Sequence, residues 1–595
     1  SGGAVYMSDA SVTIDGSLFD NNTSHLGGAV FNKNGLLESI DAKYINNTAT
    51  KNSSGSNGNG GAITLSGGTL TASGNNEFNA NSAENHGGAV YVAYSTVDEQ
   101  KVPGVMTMTD GVFSENSAQA GGAISSRTDC QVTLNGTVLQ NNSAIGTTSD
   151  LGGGAIYSNN NTLTLSTVTC TANSTGYYGG AINARTATVT IDNNSVFTNN
   201  EGKTGVAINL RDGGTATLTD VTVSDNISTA GSGVVYITSG GTLNITRLTA
   251  TGNQNNNGGV IYSSGSANIS IDDSEFTGNT ALNLGGAVDH RSSGALTVTN
   301  TEFIRNTAKN GGAMYTTNSK NVSVSDSTFA ENSATEKGGS VYALGTKSES
   351  VFEDCTFNGN SAVSGGAVCA DQGAKITINT SVMSVNSAID GGAVMVADSS
   401  EEGTTATGMY LNSVEFSKNT ASNMGGALST DTASPNLIID ANNCTFTENS
   451  ATVKGGGAVE IGNGNCTSAS GPAQLNLVFT DCTFDGNTAK TTGAAVEIRS
   501  SSCAKFDGIT AKNNKSSGNG SVFYITSNFS RLYLTGDVTL ADNTAKSGTF
   551  AYLYNNNYSN PPMIYTSHSS TADWYTTTSV TGNRTSVTFD VTTMP

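Results

Sequence analysis

Apolar and polar residues alternate in short runs along most of the chain. Examples are Leu163-Thr164-Leu165, Val189-Thr190-Ile191, Ile269-Ser270-Ile271, Leu296-Thr297-Val298 and Val322-Ser323-Val324. A period of two marks a β-strand with one buried face, and no helix-length run of period 3.6 competes with it. Two further blocks recur around these runs. The first is Gly-Gly-Ala-aliphatic, starting for example at Gly2, Gly27, Gly60, Gly87, Gly285 and Gly425. The second is aromatic-x-x-Asn followed by Ser/Thr-Ala, as in Phe78–Asn81, Phe276–Asn279, Phe303–Asn306 and Phe416–Asn419. Counting degraded copies, there are about 20 repeats, roughly 25–28 residues apart between 153 and 391, and a fixed period of this size signals a solenoid.

Three strands and three turns in about 27 residues predict one coil of a parallel β-helix, each strand pairing with its counterpart in the next coil. The fold class expected is therefore all-β: a single parallel β-helix solenoid of about 20 three-strand coils, right-handed by the rule for parallel crossovers. The aliphatic after Gly-Gly-Ala (Val5, Ile63, Val90, Ile124, Val288, Met314) and the Phe residues should face the core. The paired glycines suit a corner needing positive φ or close backbone approach. The recurring Asn suits a left-handed corner, with side-chain amides stacked along the axis. Repeats occupy 1–552. Residues 553–595, irregular and holding the only Trp (Trp574), are expected to form a C-terminal cap.

Composition changes this picture little. With 72 Gly and 12% charged residues the chain has a low-complexity look, but the periodicity argues for order. A net charge of −21, with 26 Lys+Arg, excludes nucleic acid as an expected partner, because phosphate binding needs a cationic face. No apolar run approaches the length of a transmembrane helix, so no transmembrane segment is expected.

The pairing of Gly-Gly-Ala-(Ile/Leu/Val) with Phe-x-x-Asn resembles the repeats of chlamydial polymorphic outer-membrane protein passengers and of related adhesin-like β-helix proteins. The resemblance covers nearly the whole chain. It implies an extracellular or cell-surface, adhesin-like passenger or stalk, without enzymatic activity or cofactor, whose partner is a host-cell or glycan surface. A structural subunit of an extracellular filament or coat, partnered by copies of itself, is the alternative. A polysaccharide-acting β-helix enzyme is the third reading.

Eight Cys are present, with no zinc-type spacing. Cys444 and Cys482 fall in the same slot of consecutive coils, as do Cys466 and Cys503. Equivalent Cα atoms stand about 4.8 Å apart along a ladder, inside the disulfide window. Both pairs are expected to be bridged; the alternative for Cys444 and Cys482 is a reduced, buried stack. Sequons include Asn135, Asn226, Asn244, Asn321 and Asn557, though Asn, Ser and Thr are so abundant that chance alone yields many.

Two features could carry chemistry. Asp272-Asp273 followed one coil later by Asp289-His290-Arg291 is the best acid–base cluster, yet neighbours in a strand point to opposite sides and should not converge on one substrate. The Asp273 slot recurs as Asp326, Asp354 and Asp481, which suits a turn former. No catalytic or metal-binding residue is therefore expected. The slot after the core aliphatic holds Tyr6, Phe31, Tyr91, Tyr157, Tyr236, Tyr262, Tyr315 and Tyr342. By alternation this row should face solvent, either as a binding stripe or as simple cross-strand pairing.

Overall fold

The computed structural model describes residues 1–148, 151–228, 231–398, 406–430, 436–462, 464, 466, 475–554, 560, 562–567, 580–582 and 587–588. Among these residues every regular element is a strand. The chain divides into two compact units, Ser1–Leu282 with Ala287–Leu296, and Asn283–Gly286 with Thr297–Pro595.

In the first unit the strands after Gly-Gly-Ala pair in parallel, coil upon coil: Val5–Ser8 with Val30–Lys33, then Ile63–Ser66, then Val90–Ala93, and so on to Val288–Ser292. Their leading aliphatics are in register, Val30 beside Ile63 and Ile63 beside Val90, and none of the three is exposed to solvent. A second sheet stacks the alternating strands and the Phe strands, and a third stacks the short Ser/Thr-Ala strands such as Thr48–Ala49 and Ser82–Ala83. In places the two parts of the second sheet fuse into one strand, as in Thr215–Ser224, which bends at Asp220 (φ 55°). The second unit repeats the plan from Met314–Thr317 to Ala551–Tyr554. This is the parallel β-solenoid expected from the period.

Each slot has a physical cause. Gly87 sits at φ 64°, a region costly for any residue with a Cβ. Its neighbour Gly88 is needed for a different reason: a Cβ there would overlap the carbonyl oxygen of Gly122 in the next coil. Aromatic rings stack in the core, Tyr44 on Phe78 at 4.6 Å and Phe78 on Phe113 at 4.7 Å between centroids. In the second unit Phe303, Phe329 and Phe357 do the same at 4.8 and 4.9 Å.

The Asn slot is an amide ladder, but the left-handed corner belongs to the residue before it: Asn46, Glu115, Asp225 and Lys418 all have φ between 52° and 56°. The Asn that follows points inward. Asn226 is typical. Its backbone N–H and its Nδ2 both donate to Asn253 Oδ1 at 3.1 Å, and Nδ2 also donates to the carbonyl of Phe197 at 2.9 Å. The corner leaves backbone polar groups inside the coil, and the Asn amide satisfies them where no water reaches.

Described residues beyond 552 continue the ladders: Met563–Thr566 pairs with Arg531–Ala541, and Ile564 is in register with Val587. Most of the expected cap, Trp574 included, lies outside the described residues.

Candidate functional site

The outward row of the Gly-Gly strands is where the structure departs most from expectation. Tyr6 is 58% exposed, but Phe31, Tyr157, Tyr315 and Tyr342 are buried, at 7%, 2%, 4% and 7%, and Tyr91, Tyr236 and Tyr262 are half-buried. An open aromatic stripe therefore does not exist. The cause is the segment just before the glycine pair, which in several coils lies over the outward row. His86, two residues before Gly88, stacks on Tyr91 at 6.1 Å and meets Tyr157 at 6.0 Å. In the second unit Leu284 packs on the cluster of Tyr315, Tyr342 and Cys369. Alternation along a strand fixes which side a residue faces, and not whether that side reaches water.

Under this cover the row becomes polar in several coils, and each charge there has a partner. Asp289, fully buried, takes the place of Tyr262 one coil on, and Arg291 Nη2 approaches its Oδ2 to 2.6 Å. Burial raises the Asp289 carboxyl to about 6, against the pull of Arg291. The Arg291 guanidinium also lies 5.3 Å from the Tyr262 ring centre. His290 points the other way, into the core. Its Nε2 reaches the Gly294 carbonyl at 3.3 Å and must donate, so Nδ1 accepts from Ser263 Oγ at 2.8 Å. Burial lowers its imidazole to about 4, keeping it neutral. Asp289 and His290 thus occupy opposite faces, as their adjacency requires, and form no acid–base pair.

The remaining clusters follow the same logic. His86 accepts from Arg127 Nη2 at 2.8 Å, and burial together with the Arg127 charge lowers it to about 3. Asp371 accepts from Lys337 Nζ at 2.6 Å and from the Tyr342 hydroxyl at 3.1 Å. Asp273, Asp326, Asp354 and Asp481 lie at φ between 49° and 51°, the turn role expected of that slot.

One constellation escaped the reading of the sequence. Glu460 and Glu497 are in register on adjacent coils and both are buried. Glu460 accepts from Ser429 Oγ at 2.6 Å, and Arg499 Nε stands 2.6 Å from its Oε1 as an ion pair. Glu497 accepts from Thr492 Oγ1 at 2.9 Å. Burial, reinforced by the Glu460 charge, raises Glu497 to about 7. The signal was present: Ala458-Val459-Glu460-Ile461 and Ala495-Val496-Glu497-Ile498 put Glu in the slot that elsewhere holds Tyr.

Cys466 is bonded to Cys503, with Cα atoms 5.4 Å apart and Tyr533 packed beside them. The bridge expected between Cys444 and Cys482 is absent. Both thiols point into the core side by side and donate to backbone carbonyls two residues back, Asn442 at 3.4 Å and Thr480 at 3.4 Å. Stacked slots bring the Cα atoms within reach of a bridge, and Cys466 with Cys503 forms one while Cys444 and Cys482 remain the reduced, buried stack. Cys130, Cys170, Cys355 and Cys369 are buried and reduced.

Of the sequons, Asn135, Asn244 and Asn321 are exposed. Asn226 is corrected: it is a fully buried member of the amide ladder, and no glycan fits there in the folded chain. Asn557 lies outside the described residues. A shallow depression of about 150 Å³ over Asp481, Gly508, Thr510 and Asp537 is smaller than the few hundred Å³ of a typical ligand pocket. Among the described residues no group of three His, Cys, Asp or Glu side chains is arranged to hold a metal ion, and no helix is long and apolar enough to cross a membrane.

Two comparisons with known families bear on this geometry. Residues 232–408 match the family described as the right-handed β-helix region. Residues 413–431 match the Chlamydia polymorphic membrane protein repeat. The second match spans one coil's worth of motif, from Phe416 and Asn419 to Gly425-Gly426-Ala427-Leu428. No curated protein and no solved structure matches the chain.

Proposed function

We propose that this chain is a surface-displayed β-helical passenger that acts in adhesion to a host-cell or glycan surface and catalyses no reaction. The observation that carries the reading is the coil at 413–431. It is similar to the chlamydial repeat, and its Phe416, Asn419 and Gly425 fill the same slots as Phe446, Asn449 and Gly456 in the next coil. The similarity is therefore one of building unit, repeated in both compact units.

The electrostatics favour the same reading. Catalysis on a polysaccharide needs carboxylates that converge on a bound sugar. Here Asp289, Asp371 and Glu460 are covered and neutralised by cations of this same chain. The purified chain should stay monodisperse and bind cultured host cells or a defined subset of a glycan array. Failure of both binding assays, or polymerisation into filaments, would sink the adhesion reading. Turnover of acidic polysaccharide that disappears in Asp289→Ala or Glu497→Gln would overturn the non-enzymatic part.

A further inference from the structure

The alternating strands of the first unit present an outward face of a different kind. Thr71, Thr107, Thr133, Thr164, Thr190 and Thr217 are successive register partners, one per coil. Beside them Thr162, Thr188, Thr215 and Thr242 form a second row, also in register. Thr219 and Thr246 extend a third, whose earlier members are Ser166 and Asp192. All of these threonines are exposed or half-exposed, while the residues between them, such as Leu163, Val189, Ile191 and Leu218, are buried.

Thr is a good strand former, which accounts for finding it on a sheet. It does not account for six successive coils, from Thr71 to Thr217, kept in one residue type between Glu38 before them and Asn244 and Ser270 after. In the second unit the corresponding row reads Ser323, Val351, Thr377, Tyr410, Asp440, Val478 and Lys505. The fold there is the same, so the strand environment alone does not demand threonine.

We propose that the threonine face of the first unit binds ice. Parallel strands repeat about every 4.8 Å and alternate side chains about every 6.6 Å along a strand, so the hydroxyls form a two-dimensional lattice. In a tetrahedral water network with O–H···O bonds of about 2.75 Å, second neighbours stand about 4.5 Å apart and the axial repeat is about 7.3 Å. Both spacings lie within about a tenth of the protein's. Each Thr offers a hydroxyl that donates and accepts, held by a χ1 that β-branching restricts, so little side-chain entropy is lost on contact. The methyl groups between the hydroxyls keep the face from dissolving the lattice that it holds. A crystalline polysaccharide is the competing periodic partner. Sugar rings are gripped by aromatic faces, and these rows carry none, so the face is matched to water instead.

The test is partition into slowly growing ice, with the full chain and a neutral reporter protein frozen together. The wild type should be enriched several-fold in the ice fraction over the reporter. Thr190→Tyr combined with Thr217→Tyr places two rings proud of the lattice without touching the core, and should lower partition to the reporter's level. Thr377→Tyr, on the corresponding row of the second unit, should leave it unchanged. Unfolding midpoints of all variants must match the wild type, and Thr190→Ser with Thr217→Ser serves as the milder pair if the Tyr pair does not fold. Exclusion of the wild type from ice, equal partition of wild type and lattice variant, or binding to crystalline cellulose or chitin through these rows would each overturn the proposal.

Discussion

The two compact units share their interior and differ in their surfaces. In both, the amide ladder, the stacked Phe rings and the Gly-Gly corner recur with nearly constant geometry. On the outward face of the alternating strands, one unit holds threonine over six successive coils, flanked by Glu38 and Asn244, while the other runs through Ser, Val, Thr, Tyr, Asp and Lys. The covered row diverges too, with Asp289 in the first unit and the Glu460–Glu497 pair in the second. Register is set by side chains that touch the next coil, so those slots tolerate little change. Outward slots answer only to what they meet.

The largest effect should come from adding one carbon to an interior slot. Gly88→Ala has no room against Gly122 and should cost more than about 4 kcal/mol, whereas Gly278→Ala, at φ 64° with no atom within 4 Å, should cost about 1 kcal/mol. Because a solenoid is held by neighbouring coils, hydrogen exchange should show protection lost around 60–125 in Gly88→Ala and retained in the second unit. Protection lost evenly along the chain would break the picture of units governed by local contacts.

Reduction separates the units next. The Cys466–Cys503 bridge closes a span of 37 residues, and opening it should cost about 4 kcal/mol on loop entropy. Denaturant midpoints with and without reductant should then differ for probes in the second unit, while the first, whose Cys130 and Cys170 are already thiols, stays put.

Acid should act on the units in opposite senses. Glu497 is raised to about 7 from an ordinary 4.5, so the folded chain holds a proton that the unfolded chain has released. Its stabilising contribution is full below about 4.5 and is lost as pH rises through about 7, an effect on the order of 2–3 kcal/mol. His86 and His290 are lowered to about 3 and about 4 from 6.5, so their contribution is full above 6.5 and lost as pH falls through those values. Asp289, raised to about 6, offsets part of the first unit's loss. Local exchange at pH 5 and pH 7.5 should show the coils at 459–498 firmer in acid and those at 86–127 looser. Glu497→Gln should flatten the first trend only.

The smallest effect is a gain. Val385 holds φ 59° with a β-branched side chain and is 55% exposed, in a slot that holds Asn46, Asp225 or Gly278 in some coils and unbranched residues such as Glu115 and Lys418 in others. Val385→Asn should raise stability by about 1 kcal/mol, measurable as a shift in the urea midpoint.

Reading the sequence recovered what repeats and missed what does not. The period, the strand type, the inward aliphatics and the glycine pair were all legible, because each copy of Gly27-Gly28-Ala29-Val30 reports the same contact. The left-handed residue was misplaced by one because it varies (Asn46, Glu115, Asp225), while the Asn beside it does not. The Tyr row was expected in solvent because a period of two has no knowledge of the segment before Gly88 folding over Tyr91. Slot equivalence likewise gives only a distance within reach of a bridge, which Cys466 and Cys503 form and Cys444 and Cys482 do not.

The amide ladder has a direction. At every step, from Asn47 to Asn81 and from Asn419 to Asn449, the donor lies in the earlier coil and the acceptor oxygen in the later one. Amide dipoles laid head to tail polarise one another and add, as peptide dipoles do along a helix. Within each unit the column is therefore an electrical arrow. A growing end toward the C-terminus offers unfilled N–H donors, and one toward the N-terminus offers a bare oxygen. A chain emerging N-terminus first meets, at each finished coil, donors already aimed at the place where its next Asn oxygen must land.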